Sequence, residues 1–231
     1  MIKVILWDVD GTLLDFHAAE RAAIRSLFQR FALGECTDEM LQRYAKINRS
    51  YWERLERGEL SRAEVLIGRF REFFEKEGLD VSVADEFNQA YQPSLGDTIV
   101  YCDNCMDIIC SLSGKVKQYV VSNGTIVAQE KKLRLSGIGE KMDGIFLSEQ
   151  LGVEKPNKAF FDHVFEEIGE YEKDQVLIIG DSLTSDIRGG NNTGIKTCWY
   201  NPSHAENLEN VTVDYEIENL QEVLTIFQEA D

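Results

Sequence analysis

The chain is short of positive charge, proline and histidine, and it has no long apolar run. Its Lys and Arg number 24 against 41 Asp and Glu, a formal net charge of -17, so it lacks the cationic surplus with which proteins hold a nucleic-acid backbone. No stretch approaches the roughly 18 to 20 apolar residues that cross a bilayer. Asp8 also interrupts the first apolar segment before a signal-peptide core could form, so a cytoplasmic protein without a membrane partner is expected. Its 5 cysteines are odd in number and unevenly spread, which does not read as a disulfide framework. Cys102 and Cys105 form a C-x-x-C, but Cys110, His17, His163 and His204 do not supply the other half of a zinc site, so incidental thiols are expected. With 3 Pro, 17 Gly, 43% hydrophobic and 28% charged residues, the composition is that of a folded domain that buries a core.

Short apolar runs at 2–7, 116–121, 144–147, 176–179 and 195–200 read as strands, several ending in Gly, Asn or Ser turns. Helical patterns at 125–135, 157–168, 184–192 and 220–229 alternate with them. Near-continuous apolar strands alternating with helices predict a Rossmann-like α/β core, a parallel sheet with helices on both faces. Residues 16–91 break the alternation with apolar residues at helical spacing, punctuated by Gly34, Gly58 and Gly78, with Thr37 and Ser61 at N-cap positions and Glu64 completing a capping box with Ser61. The expected organisation is therefore a core of residues 1–15 and 96–231 and an all-helical domain, 16–95, inserted after the first strand.

Ligands of a parallel sheet collect at the carboxyl ends of its strands. There the sequence places Asp8, Asp10, Gly11 and Thr12, then Ser122 and Asn123, then Lys155-Pro156 on a loop, then Asp181 with Asp186 in the following turn. Carboxylates gathered this closely repel one another unless a cation shares the site, and a small set of oxygen ligands suits Mg²⁺ with a phosphoryl group. Lys155 offers the fixed positive charge for that phosphate. Asp15, Ser182 and Thr184 read as helix caps and Ser148 and Glu149 as loop residues.

These four ordered motifs resemble those of the haloacid dehalogenase-like hydrolase superfamily, mostly phosphatases, and the likeness spans the chain. The helical insert is similar to the family's C1 cap. The resemblance implies Asp8 as the nucleophile that forms an aspartyl-phosphate, and Asp10 as the acid that protonates the leaving oxygen and then the base that deprotonates water. It implies Mg²⁺ held by Asp8, the Asp10 backbone carbonyl and Asp181. Thr12, Ser122, Asn123 and Lys155 would bind the phosphoryl group, with Asp186 in support. Dehalogenating members lack the second aspartate, so Asp10 and Asp181 point away from them.

The stretch 46–52 with Glu56, Gly58, Arg69 and Phe70, together with 180–190 and 197–202, is similar to the pyrimidine 5'-nucleotidase subfamily. This implies a nucleoside monophosphate as substrate and Asn48, Trp52 and Arg69 as base contacts in the cap. The alternative for these residues is plain packing of cap helices, with Arg69 paired to a glutamate. The alternative for the function is another small-molecule phosphatase, acting on phosphoglycolate or a sugar phosphate; a binding protein of the same fold ranks below both. The expected partner is a small phosphorylated metabolite rather than a nucleic-acid polymer, and the expected state a monomer or homodimer.

Overall fold

The computed structural model describes residues 1–228, the side chain of Gln228 excepted. The chain divides into two compact units, Met1–Asp15 with Ile99–Asp231, and Phe16–Thr98. The second crossing thus falls a few residues beyond the expected 95/96 boundary.

The first unit is built on a six-stranded sheet in the order β3-β2-β1-β4-β5-β6. Its strands are β1 (Val4–Trp7), β2 (Lys117–Ser122), β3 (Gly144–Leu147), β4 (Val176–Gly180), β5 (Lys196–Tyr200) and β6 (Tyr215–Ile217). All neighbours are parallel. Every residue of β1 and β4 is buried, as expected of central strands covered on both faces. Alternate residues serve the two faces. Ile5, Trp7, Leu177 and Ile179 join the core with Ile108, Ile109, Leu112 and Val223, while Val4, Leu6, Val176 and Ile178 pack with Phe160, Phe161 and Val164.

The helices of the first unit are α5 (Cys105–Leu112), α6 (Ile126–Ser136), α7 (Ser148–Leu151), α8 (Lys158–Ile168), α9 (Arg188–Thr193) and α10 (Val223–Gln228). The five expected strands are present within two residues of their expected bounds. The three-residue β6 was too short to announce itself, and α5 starts on Cys105, the last residue of the C-x-x-C, without a separate signal. Three local readings are corrected. Ser148 and Glu149 open a helical turn, where Ser148 is buried and Glu149 accepts a hydrogen bond from the Ile126 amide at 2.6 Å. The expected helix 184–192 is two pieces, a turn over Leu183–Ile187 followed by α9. Ser182, not Thr184, caps that turn, by accepting from the Ser185 amide at 3.2 Å. Of the last expected helix, Glu229 lies outside the described residues.

The second unit has four α-helices, α1 (Phe16–Arg30), α2 (Asp38–Glu56), α3 (Arg62–Glu77) and α4 (Ala84–Ser94), and a 3₁₀ turn at Val81–Val83, with no strand among them. Thr37 caps α2, and Ser61 and Glu64 form the anticipated capping box on α3. Aromatic rings fill the centre. Tyr44 stacks on Phe70 with centroids 4.9 Å apart, and Phe87 meets Phe70 and Phe74 at 5.0 Å each. Such offset and edge contacts add specificity to the apolar burial.

Candidate active site

Parallel register brings the ends of β1, β2 and β4 together, since Trp7 lies opposite both Val120 and Ile179. Asp8 follows β1 and is buried; its Oδ1 accepts from Lys155 Nζ at 2.9 Å and its Oδ2 from the Thr12 hydroxyl at 3.2 Å. Burial pushes the Asp8 carboxyl from 3.8 up to about 7, against the pull of Lys155 and with the push of Asp186 and Asp10. Ser122 ends β2, buried, with its hydroxyl accepting from the Gly124 amide at 3.0 Å.

Lys155 is 1% exposed, and its ammonium has three partners: Asp8 Oδ1, Asp186 Oδ1 at 2.6 Å and the Val121 carbonyl at 2.8 Å. Burial alone would lower its pKa, but Asp186 and Asp8 outweigh that and raise it. It is a permanent cation beside the Asp8 carboxylate. Asn123 reaches it differently from the expectation. Its amide donates to the Lys155 carbonyl and accepts from the Lys155 amide, both at 2.9 Å, so it clamps the backbone of the loop that carries the ammonium.

Asp181 follows β4, and the Trp199 indole donates to its backbone carbonyl at 2.9 Å. Asp186 is 1% exposed and also accepts from the Ser182 amide at 3.2 Å. Among the described residues, one group offers oxygens spaced for a cation: Asp8, Asp181 and Asp186, each with a carboxylate oxygen within 4.8 Å of the others. Asp181 keeps contact with solvent, yet the protein around it, together with Asp8 and Asp186, drives its pKa well above the ordinary value. Three crowded carboxylates offering only oxygen donors fit a hard divalent ion such as Mg²⁺. Gly11 leaves room for the Asp181 carboxylate, since a Cβ there would fall 2.5 Å from Asp181 Oδ2. This grouping of side chains adds Asp186 to the expected Asp8 and Asp181, while the Asp10 side chain pairs with other residues.

The family model for haloacid dehalogenase-like hydrolases matches residues 2–194. This chain is a haloacid dehalogenase-like hydrolase. It is 38% identical to the HAD-hydrolase YfnB of Bacillus subtilis over 97% of this chain and 94% of that one. A crystal structure of YfnB bound to magnesium superposes with a TM-score of 0.91 at 36% identity, covering 98% of this chain and 99% of that chain. The pyrimidine 5'-nucleotidase PynA of Streptococcus pneumoniae is 34% identical over 96% of this chain and 93% of its own length.

In this hydrolase, sequence reasoning missed two residues. Gln129 Nε2 donates to Asp10 Oδ2 at 2.6 Å, and the Lys132 ammonium pairs with Asp10 Oδ1. A polar Gln and Lys three apart on one face of α6, among buried Ala128 and Leu133, was the available signal. In the helical unit, Asn48 and Arg69 are brought together. Arg69 donates to Asn48 Oδ1 at 2.6 Å and to Asn88 Oδ1 at 3.4 Å, and Asn48 donates to Glu20 Oε1 at 2.8 Å. Arg69 thus reaches a glutamate through an asparagine rather than directly. Its guanidinium also lies 5.8 Å from the centre of the half-buried Trp52 ring. No helix among the described residues is long and apolar enough to cross a membrane.

Proposed function

We propose that this hydrolase is a Mg²⁺-dependent phosphomonoesterase working through an aspartyl-phosphate on Asp8, and that its substrate is a pyrimidine nucleoside 5'-monophosphate. The observation that carries the chemistry is the buried Lys155 ammonium on Asp8 Oδ1, beside the Asp8, Asp181 and Asp186 oxygens. A cation fixed at the nucleophile serves to draw a dianionic phosphoryl group to it and to offset charge in transfer. Asp8 Oδ attacks phosphorus while the ester oxygen leaves with its electron pair and takes a proton from Asp10. Water then attacks the phosphoryl group, its proton passing to Asp10 and the electron pair of the breaking bond returning to Asp8. Asp8 and Asp181, with Asp186 or the Asp10 carbonyl, would hold the Mg²⁺, which when bound neutralises charge on the transferring group.

The nucleotide reading rests on the likeness to PynA and on the cap sequence, with Trp52 as the flat surface for a base. A second reading, a small sugar or acid phosphate, is favoured by Asn48 and Arg69, which spend hydrogen bonds on each other and on Glu20 and Asn88. The deciding experiment is phosphate release from UMP, dUMP, dTMP, purine nucleotides, phosphoglycolate and hexose phosphates, each with Mg²⁺ and with EDTA. Metal-dependent release concentrated on pyrimidine nucleotides supports the first reading. Preference for phosphoglycolate or hexose phosphates replaces it with the second, and no release from any overturns both.

A further inference from the structure

The geometry points to α6 as the element that aims the general acid: we propose that Gln129 and Lys132 form a cradle that fixes the Asp10 carboxyl, and are positioning residues for proton delivery to the leaving group. The proposal rests on the phosphoryl-transfer reading of Asp8 and Asp10 above.

The two side chains divide the carboxylate between them. Gln129 Nε2 holds Oδ2 and Lys132 Nζ holds Oδ1, so turning the carboxyl out of this plane about the Cβ–Cγ bond of Asp10 would loosen both contacts. Both holders are interior residues, 0% and 1% exposed, whereas Asp10 is only half-buried. Burying a lysine ammonium and an amide is costly unless each is paired, and the Asp10 carboxylate is a partner that both share. Spacing of three along a helix sets them side by side.

Two further observations tie the cradle to the site. Gly124, two residues after Ser122, has no Cβ where one would fall 2.2 Å from Gln129 Nε2, so the seat of Gln129 depends on glycine there. The carboxylate requires a donor, which fixes the orientation of the Gln129 amide, and its Oε1 is left buried with no partner among the described residues. An amide placed only for packing would satisfy its own carbonyl; this one is oriented for Asp10.

In the first half-reaction the proton leaves Asp10 for the ester oxygen as the P–O bond breaks, and in the second a proton from water returns to it. Only a poor leaving group needs that first proton. An alkyl ester such as a nucleoside monophosphate depends on it, whereas 4-nitrophenyl phosphate expels a stable phenolate unaided.

The test compares kcat/KM for UMP and for 4-nitrophenyl phosphate in wild type, Lys132→Met, Gln129→Leu, Lys132→Arg and Asp10→Asn, each checked for folding by its thermal melt. For Lys132→Met we expect a loss of about 100-fold on UMP and at most about threefold on the aryl ester. We also expect a burst of one nitrophenolate per enzyme before slow turnover, because hydrolysis of the aspartyl-phosphate still needs Asp10. Lys132→Arg recovers part of the UMP rate, and Gln129→Leu shows the same split more weakly and carries the test if Lys132→Met does not fold. Equal losses on both substrates, or none on either, overturn the cradle. Wild type inert toward both esters, or Asp10→Asn without the split, instead overturns the parent reading of Asp10 and takes the cradle with it.

Discussion

Asp8 is where the demands on single residues meet, because it must be ionised to attack and yet is buried beside other carboxylates. Lys155 answers part of that demand through its contact with Oδ1. Asp8→Asn removes the nucleophilic oxygen at constant volume, and turnover should fall at least about 1000-fold. Its melting temperature in EDTA should hold or rise, because one charge leaves the group of Asp8, Asp181 and Asp186. Wild-type phosphate release, with deamidation excluded by mass, would sink the mechanism. Gly11 is a second decisive position, at φ +94° with no room for a Cβ beside Asp181. Gly11→Ala must strain the backbone or displace the Asp181 carboxylate. We expect Mg²⁺ affinity by calorimetry to drop about tenfold or more, a shift of about 1.4 kcal/mol; unchanged affinity would remove Asp181 from the metal site.

Elements owe their boundaries here to short signals. The α3 helix begins because Ser61 accepts from the Glu64 amide at 3.4 Å while Glu64 accepts from the Ser61 amide at 2.8 Å, and ends at Gly78 with φ +66°. Ser61 is exposed, so Ser61→Ala changes little besides the cap. It should cost about 1 kcal/mol, read as a lower urea midpoint for the helical unit at unchanged slope. An unmoved midpoint would mean that the box is not formed in solution. The α6 helix shows the opposite case. Thr125 makes no capping hydrogen bond from its side chain, and the first amide of the helix is taken instead by Glu149 from another element. Sequence signals of capping therefore located α3 well and left the cap of α6 invisible.

For the molecule as a whole, the acidic cluster makes stability depend on pH and on metal together. The folded Asp8 carboxyl is raised from 3.8 to about 7, so the folded state holds its proton more tightly than the unfolded chain does. Its contribution to stability is fully present below about pH 4 and is lost as pH rises through about 7. A divalent cation binds the ionised cluster, so it competes with the protons and restores stability where they have left. The gap in melting temperature between Mg²⁺ and EDTA should accordingly widen from pH 6 to pH 8. A gap that is constant or narrows over that range would argue against Asp8 as a metal ligand.

Local pattern alone determined much of this protein. The buried strands, the helical insert, the caps at Thr37 and Ser61, and the strand-end motifs from Asp8 to Asp186 all follow from hydrophobic period, turn chemistry and order along the chain, which are properties of neighbours in sequence. What only the tertiary structure decided are relations between distant residues. It gave Asn123 the backbone of Lys155 and turned Asn48 and Arg69 toward each other. It gathered Asp186 with Asp8 and Asp181, and set Gln129 and Lys132 on Asp10 across more than a hundred residues of chain. The physical reason is that a hydrogen-bonding side chain does not encode its partner. Many acceptors suit one donor, and the fold selects among them through strand register, helix facing and the absence of a Cβ at Gly11 and Gly124.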